Sequence, residues 1–457
     1  MSVVSVLLAA GQGTRMKSAL PKVLHPICGR PMIFYALDAA EAATTAKPVV
    51  VIGHGAEAVR AAVADRARFV LQDPPLGTAH AVLQAETLLR EEAQYILVTY
   101  ADMPLLRPET LQMLVERQKH SSGPVTLLTV VSPQPRGFGR ILRDERGKVF
   151  GIVEEAVATP EQLRIQELNV GAYCFEAAWL WQALRRIRLS PKGEYFLTDT
   201  VELAVQDGLR VETVHLEDIE ETIGINTRVH LAEAERVMRR RINTRHMLNG
   251  VTLLDPETTY IEPDVTIGRD TIIWPGTFLL GQTVIGEECE IGPNTWIRDT
   301  HIGARCHVQM SVLEGAKLED EVEVGPFARL RKGAHLARGV HMGNFGEVKN
   351  SYLGPGVKMG HFSYIGDATI GANTNIGAGT ITCNFDGEKK HPTWVGEDVF
   401  IGSDTMLVAP VRLGNRARTG AGSVVTKDVP EDTLVVGVPA RPIRKFPGKK
   451  ENNETDS

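Results

Sequence analysis

Val284-Ile-Gly-Glu-Glu-Cys-Glu-Ile-Gly-Pro-Asn-Thr-Trp-Ile297 places an isoleucine at every sixth position, at Ile285, Ile291 and Ile297, with Gly286 and Gly292 directly after the first two. The same step runs back through Leu279, Ile273 and Ile267. It resumes at Val324, Leu330, Leu336, Met342 and Val348, and again at Val395, Ile401, Leu407 and Leu413. Helices repeat near 3.6 residues and flat strands at two, so neither has this period. A parallel β-helix does: three short strands form each coil, one aliphatic side chain per face plugs the prism, and a small residue turns the corner. Residues 250–440 are therefore expected to form an all-β, left-handed parallel β-helix of hexapeptide repeats, with coils of about 18 residues burying their core by stacking. One-residue slips, such as Ile297 to Ile302, Val348 to Leu353 and Ile365 to Ile370, fall at corners. Between Ile381 and Val395 the period is lost, and Thr382 to Trp394 is expected to leave the prism as a loop. Prisms of this kind often accompany acyl transfer, although a fold does not fix a function.

Residues 1–226 follow a different rule. Short apolar runs (Val3 to Ala10, Pro48 to Ile52, Phe69 to Gln72, Tyr95 to Thr99, Val125 to Val131) alternate with helical patterns at Met32 to Ala43, Ala56 to Ala64, Ala79 to Leu89 and Glu109 to His120. That alternation predicts an α/β domain, a mostly parallel Rossmann-like sheet with helices on both faces, whose ligands sit beyond the carboxyl ends of the strands. Residues 227–249 read as a linking helix. Asn226 or Thr227 can cap it, Glu235 and Arg239 are spaced i,i+4, and Asn249-Gly250 stops it. Its arginines read as a solvated face. Residues 441–457 form a tail whose polar end, Lys449 to Ser457, is expected to be disordered.

The chain has 457 residues, room for two or three cores, and a formal charge of −6 with mixed signs, which gives no basic footprint for nucleic acid. Its five cysteines are odd in number and scattered outside metal-ligand spacings, as in a reducing compartment. Ser2 to Ala10 lacks a basic leader and runs into a glycine turn, so it reads as a buried first strand. No run of 18 apolar residues exists to span a membrane. A cytoplasmic protein is expected.

Immediately after that strand comes Leu8-Ala9-Ala10-Gly11-Gln-Gly13-Thr14-Arg15-Met16, then Pro21-Lys22. Glycines let backbone N–H groups approach phosphate oxygens, and two cations follow where a polyphosphate would run. The segment resembles the sugar-nucleotide pyrophosphorylases, which transfer a nucleotidyl group from a nucleoside triphosphate to a sugar 1-phosphate. Gln72 with Leu76-Gly77-Thr78 resembles that family's base-recognition loop, and Tyr100-Ala-Asp102-Met-Pro104 ends an apolar strand with a carboxylate. The resemblance implies that Asp102 and Asn226 bind Mg²⁺, a hard cation suited to a carboxylate, an amide oxygen and phosphates. It also implies sugar contacts at Gly139, Glu154 and Asn169, and neutralisation of departing pyrophosphate by Arg15 and Lys22. The sugar phosphate would attack the α-phosphorus in line, with no covalent protein intermediate.

Polar residues also interrupt the repeat: Arg331, Lys349, His361, Tyr364, Asn375, Asn384, Lys390 and Ser403. Arg331 and Lys349, one coil apart, would stack as a phosphate cradle. With the first domain, and with Gly377-Ala-Gly-Thr-Ile-Thr-Cys-Asn-Phe-Asp-Gly387, residues 2 to about 440 resemble the bacterial bifunctional N-acetylglucosamine-1-phosphate uridyltransferases/glucosamine-1-phosphate acetyltransferases. The resemblance implies that His361 takes a proton from the amine of glucosamine 1-phosphate as it attacks acetyl-CoA. Arg331, Lys349, Tyr364, Asn375 and Lys390 would hold the sugar phosphate, and Ala378, Asn384, Phe385, Ser403 and Ala421 the acetyl-CoA. Glu347 is expected to orient His361. Two positions depart from the family pattern. Phe385 replaces a frequent tyrosine, and an arginine expected before Val-Pro is missing near Gly437, where Arg441 or Arg444 can substitute.

The expected protein is thus a homotrimer through its prism, binding UTP, N-acetylglucosamine 1-phosphate, glucosamine 1-phosphate and acetyl-CoA. The prism's flat faces need a facing chain to exclude water around a thioester. Two other readings compete with it. A single nucleotidyltransferase could carry a scaffolding or differently specific prism. A non-enzymatic scaffold could resemble subunits of the translation-initiation exchange factor, but such a scaffold needs none of Arg15, Lys22, Asp102 and His361.

Overall fold

Alternation in Val3–Leu8 sets the first layer, with Val4, Val6 and Leu8 packed into one core and Val3 into another. A strand buried on both faces belongs at the middle of a helix-covered sheet. The structure, a computed structural model, describes residues 2–191 and 193–445. Its internal contacts divide it into two units, with the break after Met238.

In the first unit the sheet order is Val211–Leu216, Val125–Val131, Glu167–Glu176, Tyr95–Tyr100, Val3–Leu8, Val49–Ile52, Arg68–Leu71. Most neighbours are parallel, as expected from the alternation, but Glu167–Glu176 runs antiparallel to both strands beside it. The apolar runs do not reveal that strand, since Asn169 and Gly171 interrupt it where it bulges. Arg140–Arg143 and Val149–Val153 pair as a hairpin against its edge. Helix Met32–Ala43 has the expected bounds, whereas the pattern at Ala79 to Leu89 breaks into Thr78–Leu83 and Glu86–Leu89.

In the second unit three parallel sheets run the length of a prism, and strands one coil apart pair in register. The step-of-six residues are buried, apart from half-buried Ile267, and Ile302, Leu353 and Ile370 after the slips are buried too. The extruded segment is shorter than expected. Thr382 and Cys383 stay in strand Ile381–Cys383, where Thr382 Oγ1 accepts from Gly366 N at 2.8 Å, and Thr393 and Trp394 already belong to Thr393–Val395. Their ladder partners Leu407, Val408, Ala368 and Thr369 hold them in the prism, so the loop is residues 384–392. Asp386 makes its turn, accepting from Glu388 N and Lys389 N at 2.8 Å each.

Helix Arg228–Leu248 starts at Thr227, whose Oγ1 accepts from His230 N at 3.3 Å, and stops at Gly250, with φ of 92°. Glu235 accepts from Cys28 N at 2.7 Å, and Arg239 lies over the Tyr260 ring at 4.6 Å, so the two side chains serve tertiary contacts. Arg441–Lys445, expected as the start of the tail, forms an exposed strand antiparallel to Thr433–Val436. The expected disordered end lies outside the described residues. No helix among the described residues is long and apolar enough to cross a membrane.

Two candidate active sites

In the first unit two cavities, of about 270 and 300 Å³, adjoin at the carboxyl ends of Val3–Leu8 and Tyr95–Tyr100 and share Thr78, Tyr100, Asp102 and Glu194. The smaller is lined by Leu8, Ala9, Ala10, Gly11, Lys22, Gln72 and Gly77, and the larger by Gly139, Glu154, Asn169 and Asn226. Local causes place these groups. The bulge between Asn169 and Tyr173 turns Asn169 into the cavity, where its amide donates to Tyr173 Oη at 2.7 Å. Gly171 permits this with φ of +94°, and a Cβ there would strike the Tyr100 ring. Asn226, distant in sequence, arrives because Ile225 N donates to the Asp102 carbonyl at 2.9 Å. Since Thr227 caps the following helix, Asn226 keeps its amide for the site. Gln72 is held by donation to Gly77 O at 2.9 Å.

Charge meets charge where the cavities join. Lys22 Nζ pairs with Asp102 Oδ2 and donates to Asn226 Oδ1 at 3.3 Å, while exposed Arg15 donates to the same oxygen at 3.0 Å. Arg15 itself lies outside both linings. Burial first, then Asp102 and Glu154, push the Tyr100 phenol above the usual tyrosine range, so it stays neutral. No group of three or more His, Cys, Asp or Glu that could hold a metal ion gathers among the described residues. One carboxylate and one amide oxygen beside polyphosphate-sized space fit a divalent metal completed by phosphate oxygens, and the Lys22 ammonium marks a place where positive charge is favoured. Sequence reasoning missed Glu194, Phe196, Leu197 and Thr198, which line the cavities, although Thr198 donates to Glu154 Oε1 at 3.1 Å. They lie in an irregular segment without periodicity.

On the prism, Arg331 and Lys349 do stack, as the positions following Leu330 and Val348 in paired strands, and Tyr364 sits on Glu347 in the next coil. Lys390 returns from the loop to Lys349. Its contact and charge, followed by Arg331, hold the Lys349 ammonium below the usual lysine range, while Asp367 opposes them. Such a cationic cluster favours an anion. Gly366 lies under Tyr364 Oη and Asn384 Nδ2, where a Cβ would strike both. Gly366→Ala is therefore expected to lower the reaction carried by this face of the prism roughly tenfold or more with that of the first unit unchanged, as paired assays of one preparation would show.

His361 is exposed on the corner after Lys358–Met359. Successive coils bring Ala378, Ser403 and Ala421 to the same corner. Gly379 N donates to Phe362 O at 2.7 Å, Asp404 N to Ala378 O at 2.6 Å and Gly422 N to Ser403 O at 2.8 Å. His361, Ala378, Ser403 and Ala421 each stand three residues after the paired positions Lys358, Asn375, Phe400 and Arg418, so the four form a track along the prism. Asn375 stands on the preceding sheet, between Lys358 and Phe400, and not beside the cations. Phe385 is exposed on the loop, and Arg441 is exposed opposite Val436. Glu347 does not serve His361: its Oε1 accepts from Arg331 at 2.9 Å, one coil below, and the ion pair fixes the carboxylate there.

Fold and sites together define a nucleotidyltransferase joined to a hexapeptide acyltransferase. Residues 5–164 match the MobA-like NTP transferase domain. Residues 264–299 and 392–427 match the bacterial transferase hexapeptide (six repeats), and residues 282–325 the hexapeptide repeat of succinyl-transferase. The chain is 48% identical to the bifunctional protein GlmU of Heliobacterium modesticaldum and 45% to that of Geobacillus sp. (strain WCH70), in each case over 94% of both chains. It is 43% identical to the Halalkalibacterium halodurans protein of the same name, over 98% of this chain and 99% of the relative. The chain belongs to the bifunctional GlmU family. It is an enzyme of UDP-N-acetylglucosamine synthesis, with uridyltransferase and acetyltransferase activities, and its prism is the left-handed hexapeptide kind.

Proposed function

We propose that the prism acetylates glucosamine 1-phosphate from acetyl-CoA, and that the first unit then joins the product to the uridylyl group of UTP and releases pyrophosphate. The observation that carries the second step is the pair of adjoining cavities meeting at Lys22, Asp102 and Asn226. UTP would occupy the side of Gly11, Gln72 and Gly77, and the sugar the side of Gly139, Glu154 and Asn169. Asp102 and Asn226 would hold Mg²⁺, which when bound neutralises phosphate charge and polarises the α-phosphoryl group. Lys22 and Arg15 stabilise negative charge on the departing pyrophosphate, Glu154 and Asn169 orient the sugar by hydrogen bonds, and Gln72 reads the base edge. Nothing here needs a covalent intermediate, since fixed charges aimed at the reacting phosphates suffice.

On the prism, Arg331, Lys349 and Lys390 would grip the sugar's phosphate with Tyr364 beside them, and Asn375, on another sheet of the prism, would reach the sugar from a neighbouring chain. His361 accepts the proton that leaves the amine as nitrogen attacks the thioester carbonyl. Acetyl-CoA would lie along the corner through Ala378, Ser403 and Ala421, beside Asn384 and Phe385, with Arg441 near its phosphates. Arg441→Ala is expected to raise the KM for acetyl-CoA and leave that for glucosamine 1-phosphate unchanged. The 3′-dephospho form of acetyl-CoA should be insensitive to the substitution if the 3′-phosphate is the group bound.

His361 and the cation cluster are open to solvent in one chain, which supports a homotrimer whose neighbouring prisms wall the thioester. Light scattering is expected to give three chains per particle, and a fully acetyl-active monomer would refute the shared wall. Five free cysteines support a cytoplasmic setting. Omitting acetyl-CoA, UTP, glucosamine 1-phosphate or Mg²⁺ in turn from a mixture of all four tests the whole assignment.

A further inference from the structure

One corner of the prism carries a ladder of polar side chains, one per coil. Asn350 Nδ2 donates to Asp367 Oδ1 at 2.7 Å, and Asn384 Nδ2 donates to Asp367 Oδ2 at 2.5 Å. The register explains the spacing. Lys349 pairs with Gly366, so the residues that follow them, Asn350 and Asp367, meet at the corner, and Asn384 comes next above. Asn350 and Asp367 turn that corner in the left-handed region, with φ of 45° and 50°. After glycine, short polar side chains tolerate that region best. At Asn384 the chain does not turn but leaves the prism as the 384–392 loop.

Asp367 meets that loop at both ends. Its carboxylate holds the Asn384 side chain where the loop departs, and its carbonyl accepts from Thr393 N at 3.1 Å where the loop returns. Its own N–H donates to Lys349 O at 3.2 Å, tying the same corner to a residue of the cation cluster. An ionised carboxylate accepts hydrogen bonds and donates none, so it fixes which way each amide points. Nδ2 of Asn384 must face Asp367, and Oδ1 must face away. An asparagine in its place would offer one accepting atom and one donating group to two donating amides. One of those contacts would then be lost, or the amide that makes it would turn over.

We propose that Asp367 is a positioning residue of the acetyl-transfer site, clipping the two ends of the 384–392 loop and setting the orientation of the Asn384 amide. The proposal rests on the acetyl-transfer site assigned above. Through Asn384 it fixes one wall beside the thioester. Through the closed loop base it fixes Lys390, which must reach Lys349 to complete the phosphate grip. A single carboxylate thus aligns the acceptor and donor halves of the site without touching either substrate.

The test uses the full chain and kinetics of acetyl transfer with glucosamine 1-phosphate and acetyl-CoA. Asp367→Asn keeps the size of the side chain and its tolerance of the left-handed corner. It is expected to lower kcat/KM roughly 10- to 100-fold, the loss tied to one charge-assisted hydrogen bond in a catalytic site, with a raised KM for glucosamine 1-phosphate. Asn384→Ala is expected to lose at least as much, and the double variant Asp367→Asn/Asn384→Ala no more than Asn384→Ala alone. Asn384→Asp, which leaves the corner residue intact but sets two carboxylates face to face, is expected to lose as much as Asn384→Ala. If Asn384→Ala is impaired while Asp367→Asn stays within twofold of wild type, or if the two losses multiply, the positioning role is wrong. If Asn384→Ala itself is unimpaired, the assigned acetyl-transfer site fails first, and the two failures are told apart.

Discussion

Replacing Asp102 by alanine is expected to reduce uridylyl transfer by about 10³-fold or more while acetyl transfer continues at the wild-type rate. Asp102 follows strand Tyr95–Tyr100 where the two cavities meet, and its carboxylate pairs with the Lys22 ammonium. Removing it takes away the one carboxylate proposed to hold the metal, and it also leaves the largely buried Lys22 ammonium without its anionic partner. An unpaired cation there would bind a phosphate oxygen indiscriminately and blunt the alignment that in-line transfer needs. Chelation by EDTA is expected to copy the substitution on the first reaction and spare the second, because His361 lies in the other unit and on a fold that uses no metal in the assigned mechanism. Pyrophosphate release from UTP and N-acetylglucosamine 1-phosphate is the measurement. Release at the wild-type rate in the variant, or in EDTA, would remove Asp102 from the metal assignment.

His361→Ala has the mirror consequence. Acetyl transfer is expected to fall roughly 10²- to 10⁴-fold, the range for loss of one general base, with the uridylyl reaction unchanged. His361 is exposed at the corner shared with Ala378, Ser403 and Ala421, three residues before Tyr364 and in the coil above Lys349. In the proposed mechanism it is the imidazole that receives the amine's proton, and among the described residues it has no carboxylate partner like those of His335 and His341, which are paired to Glu319 and Glu323 at 2.8 and 2.7 Å. Thiol release from acetyl-CoA, followed with glucosamine 1-phosphate as acceptor, measures the effect. A variant keeping most of its rate would exclude the histidine from proton transfer.

What the sequence reveals and what it hides divide along physical lines. The prism is legible because each coil commits one aliphatic residue per face, so Ile273, Leu279 and Ile285 announce three faces in one pass. The first unit's cavities are legible for a similar reason: the Leu8 to Arg15 turn and Asp102 follow strand ends that apolar runs mark. Contacts set by register are harder to see. Whether Glu347 meets His361 or Arg331 depends on which residues pair across coils, and the one-residue slips at corners change that count. The Asn350, Asp367, Asn384 ladder is hidden in the same way. Strand Glu167–Glu176 escapes notice because the bulge at Asn169 to Tyr173, which turns Asn169 into the larger cavity, is what breaks its pattern. The Glu194 to Thr198 segment has no periodicity to find.

The most direct test of two sites acting in sequence follows pyrophosphate release by the intact protein from UTP in the presence of Mg²⁺, with glucosamine 1-phosphate as the sole sugar. The account predicts that release is slow until acetyl-CoA is added and then rises together with free CoA thiol. Asp102→Ala should block the pyrophosphate alone, His361→Ala should block both products, and mixing the two variants should restore both. Rapid release from glucosamine 1-phosphate without acetyl-CoA, or failure of the mixed variants to restore it, would contradict the account.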